Sequence, residues 1–154
     1  PDAEKIARGT LMAAEEIKRF GIQPKVALVS NSNFGSVVNE DAVKMRHALE
    51  IVRREAPDLE IDGEMQADLA LDPELRRHIF PESTLEGAAN LLVMPNVEAA
   101  NISYNLLRVN ATDGVTVGPI LMGLNKPVQI VTPISTVRRI VNMIALAAVD
   151  AQRQ

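Results

Sequence analysis

The residues with the most chemistry to offer lie near the end of the chain. Thr132-Pro133-Ile134-Ser135-Thr136-Val137-Arg138-Arg139 runs into an apolar helical pattern, with Ser135 or Thr136 in the capping position. The first turn of a helix carries partial positive charge from its unpaired N–H groups and favours acidic side chains. This sequence places Arg138 and Arg139 there instead, beside the hydroxyls of Thr132, Ser135 and Thr136. Free amides, hydroxyls and guanidinium groups together describe a site for an anion such as phosphate. A solvated arginine pair fits the same residues, and the local sequence balances the two readings.

A second polar cluster, Ser30-Asn31-Ser32-Asn33-Phe34-Gly35-Ser36, follows a strand pattern and precedes a helix. That is a common arrangement for cradling phosphate, although the Gly-Lys-Ser/Thr ending of a Walker loop is missing. An ordinary strand-to-helix turn has the same composition. Asn101, Tyr104 and Arg108 share one face of a helix by their spacing, and Arg108 can pair with an anion or stack on a ring. Lys126, in the turn-rich stretch from Gly118 to Pro127, can hold a phosphate or simply face solvent. Neither His47 nor His78 has metal-ligand spacing. Glu60, Asp62, Glu64 and Asp68 can do acid–base work, but a solvated strand end is the simpler reading. No Ser/His/Asp grouping can be argued, so the residues alone name no catalytic group and no metal site.

The elements that must position these residues follow from composition and periodicity. The chain has 154 residues, 47% of them apolar, with three Phe, one Tyr and no Trp. Its core must be aliphatic, which suits helices stacked on a parallel or mixed sheet. A net charge of −4 argues against nucleic acid as a partner. The chain has no cysteine, which excludes disulfides and thiolate metal sites and is compatible with the cytoplasm. Its longest apolar stretch is too short to span a membrane. It starts at Pro1 directly in a helical pattern, which reads as an excised piece of a longer protein.

Helices are predicted over residues 3–20, 40–56, 67–71, 73–79, 97–109 and 135–152. Strands are predicted over 25–30, 59–63, 89–94, 115–121 and 128–131. Asn39 and Asn96 read as helix caps, and Pro73 suits a first helical turn. The alternation predicts an α/β fold, a three-layer α/β/α sandwich with a largely parallel or mixed sheet. Ligands of such folds bind beyond the carboxyl ends of the strands. The expected organisation is a linking helix (1–21), an α/β body (22–131) and a closing helix (132–154). That last helix is apolar on nearly every side, so it packs on another subdomain or a partner chain.

Several stretches, taken together and in order, resemble the phosphotransacetylase family. They are Val26-Ala27-Leu28-Val29-Ser30 through Gly35-Ser36, Ala56-Pro57-Asp58-Leu59-Glu60-Ile61-Asp62-Gly63-Glu64, Ala100-Asn101-Ile102-Ser103-Tyr104, and Gly118 through Val128. Those enzymes transfer an acetyl group between coenzyme A and phosphate. The wording of Ser32–Ser36, Ile102–Arg108 and Thr132–Asn142 is closer still to the phosphotransacetylase-like domains fused to bacterial NADP-dependent malic enzymes. Active phosphotransacetylases carry Ser-Arg where this chain has Thr132-Pro133, and Asp where it has Arg139. A guanidinium cannot serve as a general base at neutral pH, and proline offers no charge to an acyl phosphate.

The resemblance therefore implies a catalytically silent domain that binds acetyl-CoA or CoA as an allosteric ligand of malate decarboxylation. It implies a ligand cleft lined by Asn33, Tyr104, Lys126, Thr132, Arg138, Arg139 and Asn142. NADP and a divalent metal would belong to malic-enzyme domains outside this chain. The implied partners are those catalytic domains and a second copy of the chain, at least a dimer, with neither nucleic acid nor membrane. Two alternatives remain: a working phosphate acetyltransferase, and a pure oligomerisation module.

Overall fold

The computed structural model describes residues 1–110, 117–133 and 135–152. They fall into two compact units, Pro1–Ser103 and Tyr104–Gln154. In the first unit the order is α1 (Ala3–Lys18), β1 (Lys25–Val29), α2 (Glu40–Glu55), β2 (Glu60–Met65), α3 (Ala67–Leu71), α4 (Pro73–Ile79) and β3 (Leu91–Val93). Helix α5 (Val97–Asn110) carries the chain onward, and α6 (Val137–Gln152) closes it. The strands form a parallel sheet in the order β2-β1-β3.

β1 is central because its residues are apolar on both faces, as a strand covered on both sides requires. Val26 and Leu28 pack with Ile6 and Ala7 of α1, Met45, Ala48, Leu49 and Val52 of α2, and Ile61. Ala27 and Val29 pack on the other face with Met65, Leu69, Ala70, Leu85 and Ala89. Alternation along one five-residue strand thus builds both cores of the three-layer arrangement. The helices begin where capping side chains allow. Asp2 accepts from Lys5 N at 2.9 Å, Asn39 from Ala42 N at 2.8 Å, Asp72 from Glu74 N and Leu75 N at 3.0 Å, and Asn96 from Ala99 N at 2.9 Å. Asp2 also takes a side-chain bond from Lys5, which holds its carboxyl below the ordinary value.

β2 departs from the sequence expectation. Asp62 and Glu64 are not at a solvated strand end: both are buried, at 4% and 0% exposure. Asp62 accepts from Arg53 Nη2 (2.9 Å), Gly63 N (3.0 Å), Ser83 Oγ (2.7 Å) and Thr84 N (2.8 Å), which meets the cost of burying its charge. Between them Gly63 has φ +138°, a conformation glycine alone tolerates well. The pairing runs Leu28↔Gly63 and then Val29↔Met65, so Glu64 is the extra residue of a β-bulge.

Arg76 of α4 is buried at 1% exposure and, among the described residues, has no carboxylate in hydrogen-bond contact. Its Nη1 donates to the carbonyls of Leu69 (2.7 Å) and Ala70 (3.4 Å), and its Nη2 to those of Leu85 (2.9 Å) and Gly87 (2.5 Å). The guanidinium thereby ties the end of α3 to the segment leading into β3. Burial pushes its pKa below the ordinary value, first among the causes being desolvation.

In the second unit, the strands expected over 115–121 and 128–131 are not ladders. Residues 115 and 116 lie outside the described residues, and the remainder makes a single antiparallel bridge, Ile120↔Gln129. Pro119 and Pro127 lack the N–H a ladder needs. Val117, Leu121, Val128 and Ile130 accordingly stay exposed. Among the described residues no helix is long and apolar enough to cross a membrane.

Candidate functional site

Thr136 caps α6: its Oγ1 accepts from Arg139 N at 3.3 Å, and its carbonyl accepts from Ile140 N at 3.0 Å. Arg138 and Arg139 are therefore the second and third residues of the helix, with no acidic residue in the first turn. Thr132 is drawn into the same turn. Its N donates to Ser135 Oγ at 2.9 Å, its carbonyl accepts from Ser135 N at 2.9 Å, and its Oγ1 lies 3.2 Å from Ser135 Oγ. Arg138 projects into solvent. Arg139 is half-buried, and its Nε is shielded with no acceptor among the described residues. An unmet donor of that kind costs about 1–3 kcal/mol. Three hydroxyl and two guanidinium side chains thus lie within eight residues at the positive end of a 16-residue helix.

The other predicted residues are placed separately. Asn142 is half-buried one turn along α6, Lys126 is exposed, and Tyr104 is exposed on α5 with the Arg108 guanidinium carbon 5.7 Å from its ring centroid. That is a cation–π pair. Asn33 belongs to the first unit, where its Oδ1 accepts from Gln66 N at 2.7 Å. His47 and His78 are exposed, and the described residues hold no group of three or more acidic or histidine side chains able to bind a metal.

The loop of residues 30–36 is not an open phosphate cradle. Ser32 N donates to Ser30 Oγ, Asn33 N to Ser36 Oγ, Phe34 N to the Glu64 carbonyl, Gly35 N to Glu64 Oε1, Ser36 N to the Asn33 carbonyl and Val37 N to Ser32 Oγ. Every amide from 32 to 37 is already used, so none is left for an anion. Sequence reasoning missed that Glu64, paired with Arg46, meets two of these amides, those of Phe34 and Gly35. The one signal was a strand reading Asp62-Gly63-Glu64 between apolar residues, where two charges flank a glycine. A groove of about 770 Å³ beside Pro1, Val38, Asn39, Lys44 and His47 contains none of the predicted site residues.

An α/β unit with a parallel sheet, followed by a helix whose first turn carries two cations and no carboxylate, defines an α/β protein of the kind seen in phosphotransacetylase structures. The chain belongs to the phosphate acetyl/butaryl transferase family, whose pattern matches residues 1–148. It is 62% identical over 154 residues to the C-terminal region of the NADP-dependent malic enzyme of Escherichia coli (strain K12), covering 100% of this chain and 20% of that protein. It is 55% identical over 151 residues to the NAD-dependent malic enzyme of Rhizobium meliloti (strain 1021), covering 98% and 20%. The chain thus spans about a fifth of the length of these relatives. Among solved structures, a phosphotransacetylase from Streptococcus pyogenes superposes with a TM-score of 0.91 at 37% identity, over 100% of this chain and 46% of the other.

Proposed function

We propose that this chain is the regulatory, acetyl-CoA-binding domain of a malic enzyme that converts malate to pyruvate with NADP, and that it performs no acetyl transfer itself. One observation carries the reading: the α6 start gathers Thr132, Ser135, Thr136, Arg138 and Arg139 with no carboxylate in its first turn. This arrangement suits the phosphates of a coenzyme A ester and lacks a base for its thiol. A ligand site kept without chemistry biases a two-state enzyme through differential affinity. Coenzyme A contacts are proposed for Asn33, Tyr104, Lys126 and Asn142.

The test is calorimetric titration of acetyl-CoA into the full-length enzyme with malate turnover followed in parallel. Arg139→Asp is expected to weaken binding at least about tenfold, or about 1.4 kcal/mol, and to relieve inhibition in step. Unchanged affinity would sink the assignment. Turnover of acetyl phosphate with coenzyme A by the wild type would instead establish a working acetyltransferase.

A second reading, assembly, is favoured by two exposed apolar stripes and can coexist with the first. Ile102, Leu106 and Val109 align on α5, and Val137, Val141 and Ile144 on α6, with Leu106 and Ile144 62% and 63% exposed. We propose that a second copy of the chain covers them. Leu106→Asp with Ile144→Asp is expected to halve the mass seen by sedimentation, and an unchanged mass rejects this.

A further inference from the structure

We infer that Glu64 is a positioning residue that holds the loop of residues 30–36 in shape and so aims the Asn33 side chain. The ligand-binding arm of this inference rests on the acetyl-CoA reading above. The bulge at Glu64 takes its side chain out of the regular alternation of β2 and turns it toward the loop. Glu64 Oε1 accepts from Gly35 N at 2.9 Å and from Arg46 Nη1 at 2.9 Å. Its backbone carbonyl accepts from Phe34 N at 2.7 Å. Phe34 and Gly35 are consecutive left-handed residues, with φ +49° and +91°. Of these two successive amides, Gly35 N meets the Glu64 carboxylate and Phe34 N the Glu64 backbone carbonyl, so one residue holds both.

The neighbouring residues of β2 finish the clamp. Met65 accepts from Ser30 N at 2.9 Å, and Gln66 donates from its backbone to Asn33 Oδ1 and from its side chain to the Asn31 carbonyl. Because Gln66 N is a donor, the oxygen of the Asn33 amide must face it. The Asn33 Nδ2 group is left as the donor a ligand oxygen can use.

Stability alone does not account for Glu64. Its exposure is 0%; among the described residues its only charged partner is the partly exposed Arg46, and its Oε2 has no hydrogen-bond partner. A buried ion pair is often no more stabilising than an apolar pair of the same volume. What this pair adds is a fixed geometry for a loop with an unfavourable backbone at Phe34.

Glu64→Gln keeps the shape and removes the charge. In the full chain, amide exchange at Phe34 and Gly35 is expected to rise at least about tenfold while Leu28 and Ala48 are unaffected. In the full-length enzyme, Glu64→Gln and Asn33→Ala are each expected to weaken acetyl-CoA binding about tenfold, with the double variant no weaker than either single one. A purely structural Glu64 would lower the unfolding midpoint and leave the affinity alone, or give additive losses; either overturns the inference. If the wild type binds no acetyl-CoA, the proposed function falls and amide exchange alone decides, with unchanged exchange at Phe34 and Gly35 rejecting the positioning role. Should Glu64→Gln not fold, Arg46→Lys is expected to move the same readouts in the same direction by less, and no movement rejects it.

Discussion

Replacing Arg76 with methionine is expected to destabilise the first unit by about 3–5 kcal/mol, read as a lower urea midpoint with an unchanged slope. Methionine keeps the aliphatic stem but ends where Arg76 has its Nε, so the space of the guanidinium group is left unfilled. The carbonyls of buried Leu69 and Leu85 also lose the donors that now meet them, as does that of the exposed Gly87. Each stranded acceptor costs about 1–3 kcal/mol, less whatever local shifts recover. Set against a typical total stability of about 5–15 kcal/mol, such a change leaves the unit marginal. Arg76→Lys should recover part of the loss, because one ammonium group cannot reach both pairs of carbonyls from the position of a planar fork. A methionine variant within about 1 kcal/mol of the wild type would show that the carbonyls find other donors.

Gly63→Ala should be nearly as damaging, at about 3 kcal/mol or more by the same denaturation. A Cβ at this position would stand 2.7 Å from the Leu28 carbonyl oxygen and 3.2 Å from Leu28 Cβ. The oxygen belongs to the central strand, so it cannot swing aside as a flexible side chain would. Relief requires β1 and β2 to separate where the bulge begins, and φ +138° adds backbone strain in any case. A Gly9→Ala control, in a helix with open space around the position, should be neutral or mildly stabilising.

Much of the fold was legible because its signals are local. Asn39, Asn96 and Pro73 start helices by means that need no distant residue, and β1 declares itself by an unbroken apolar run. The α6 start was legible for the same reason, with the choice between Ser135 and Thr136 falling to Thr136. What stayed hidden depends on partners far along the chain. Asp62 and Glu64 read as solvated because the donors that allow their burial, Ser83, Thr84 and Arg46, lie some twenty residues away. An open phosphate cradle and a self-satisfied turn use the same serines, asparagines and glycine. The acceptors already bound by the amides of 32 to 37, Glu64 at Phe34 and Gly35 among them, separate the two. The apolar runs at 115–121 and 128–131 looked like strands by composition, but in their described residues Pro119, and Pro127 beside them, withhold donors that pairing needs.

The order of the sheet also sets the order in which the chain can fold. Of its three described strands, the one at the centre comes first in the chain. Its two neighbours arrive only with Glu60 and then with Leu91. At about 5–20 residues per second of synthesis, Val26 to Val29 wait several seconds before both edges are covered. Pairings this distant in sequence are also slow to close. Before β2 emerges, the cover this chain supplies is α1 and α2, whose Ile6, Ala7, Met45, Leu49 and Val52 shield one face of the strand. Ala27 and Val29 stay bare until Met65, Leu69 and Ala70 follow, so chaperone capture is expected to concentrate on the stretch made before Ala70.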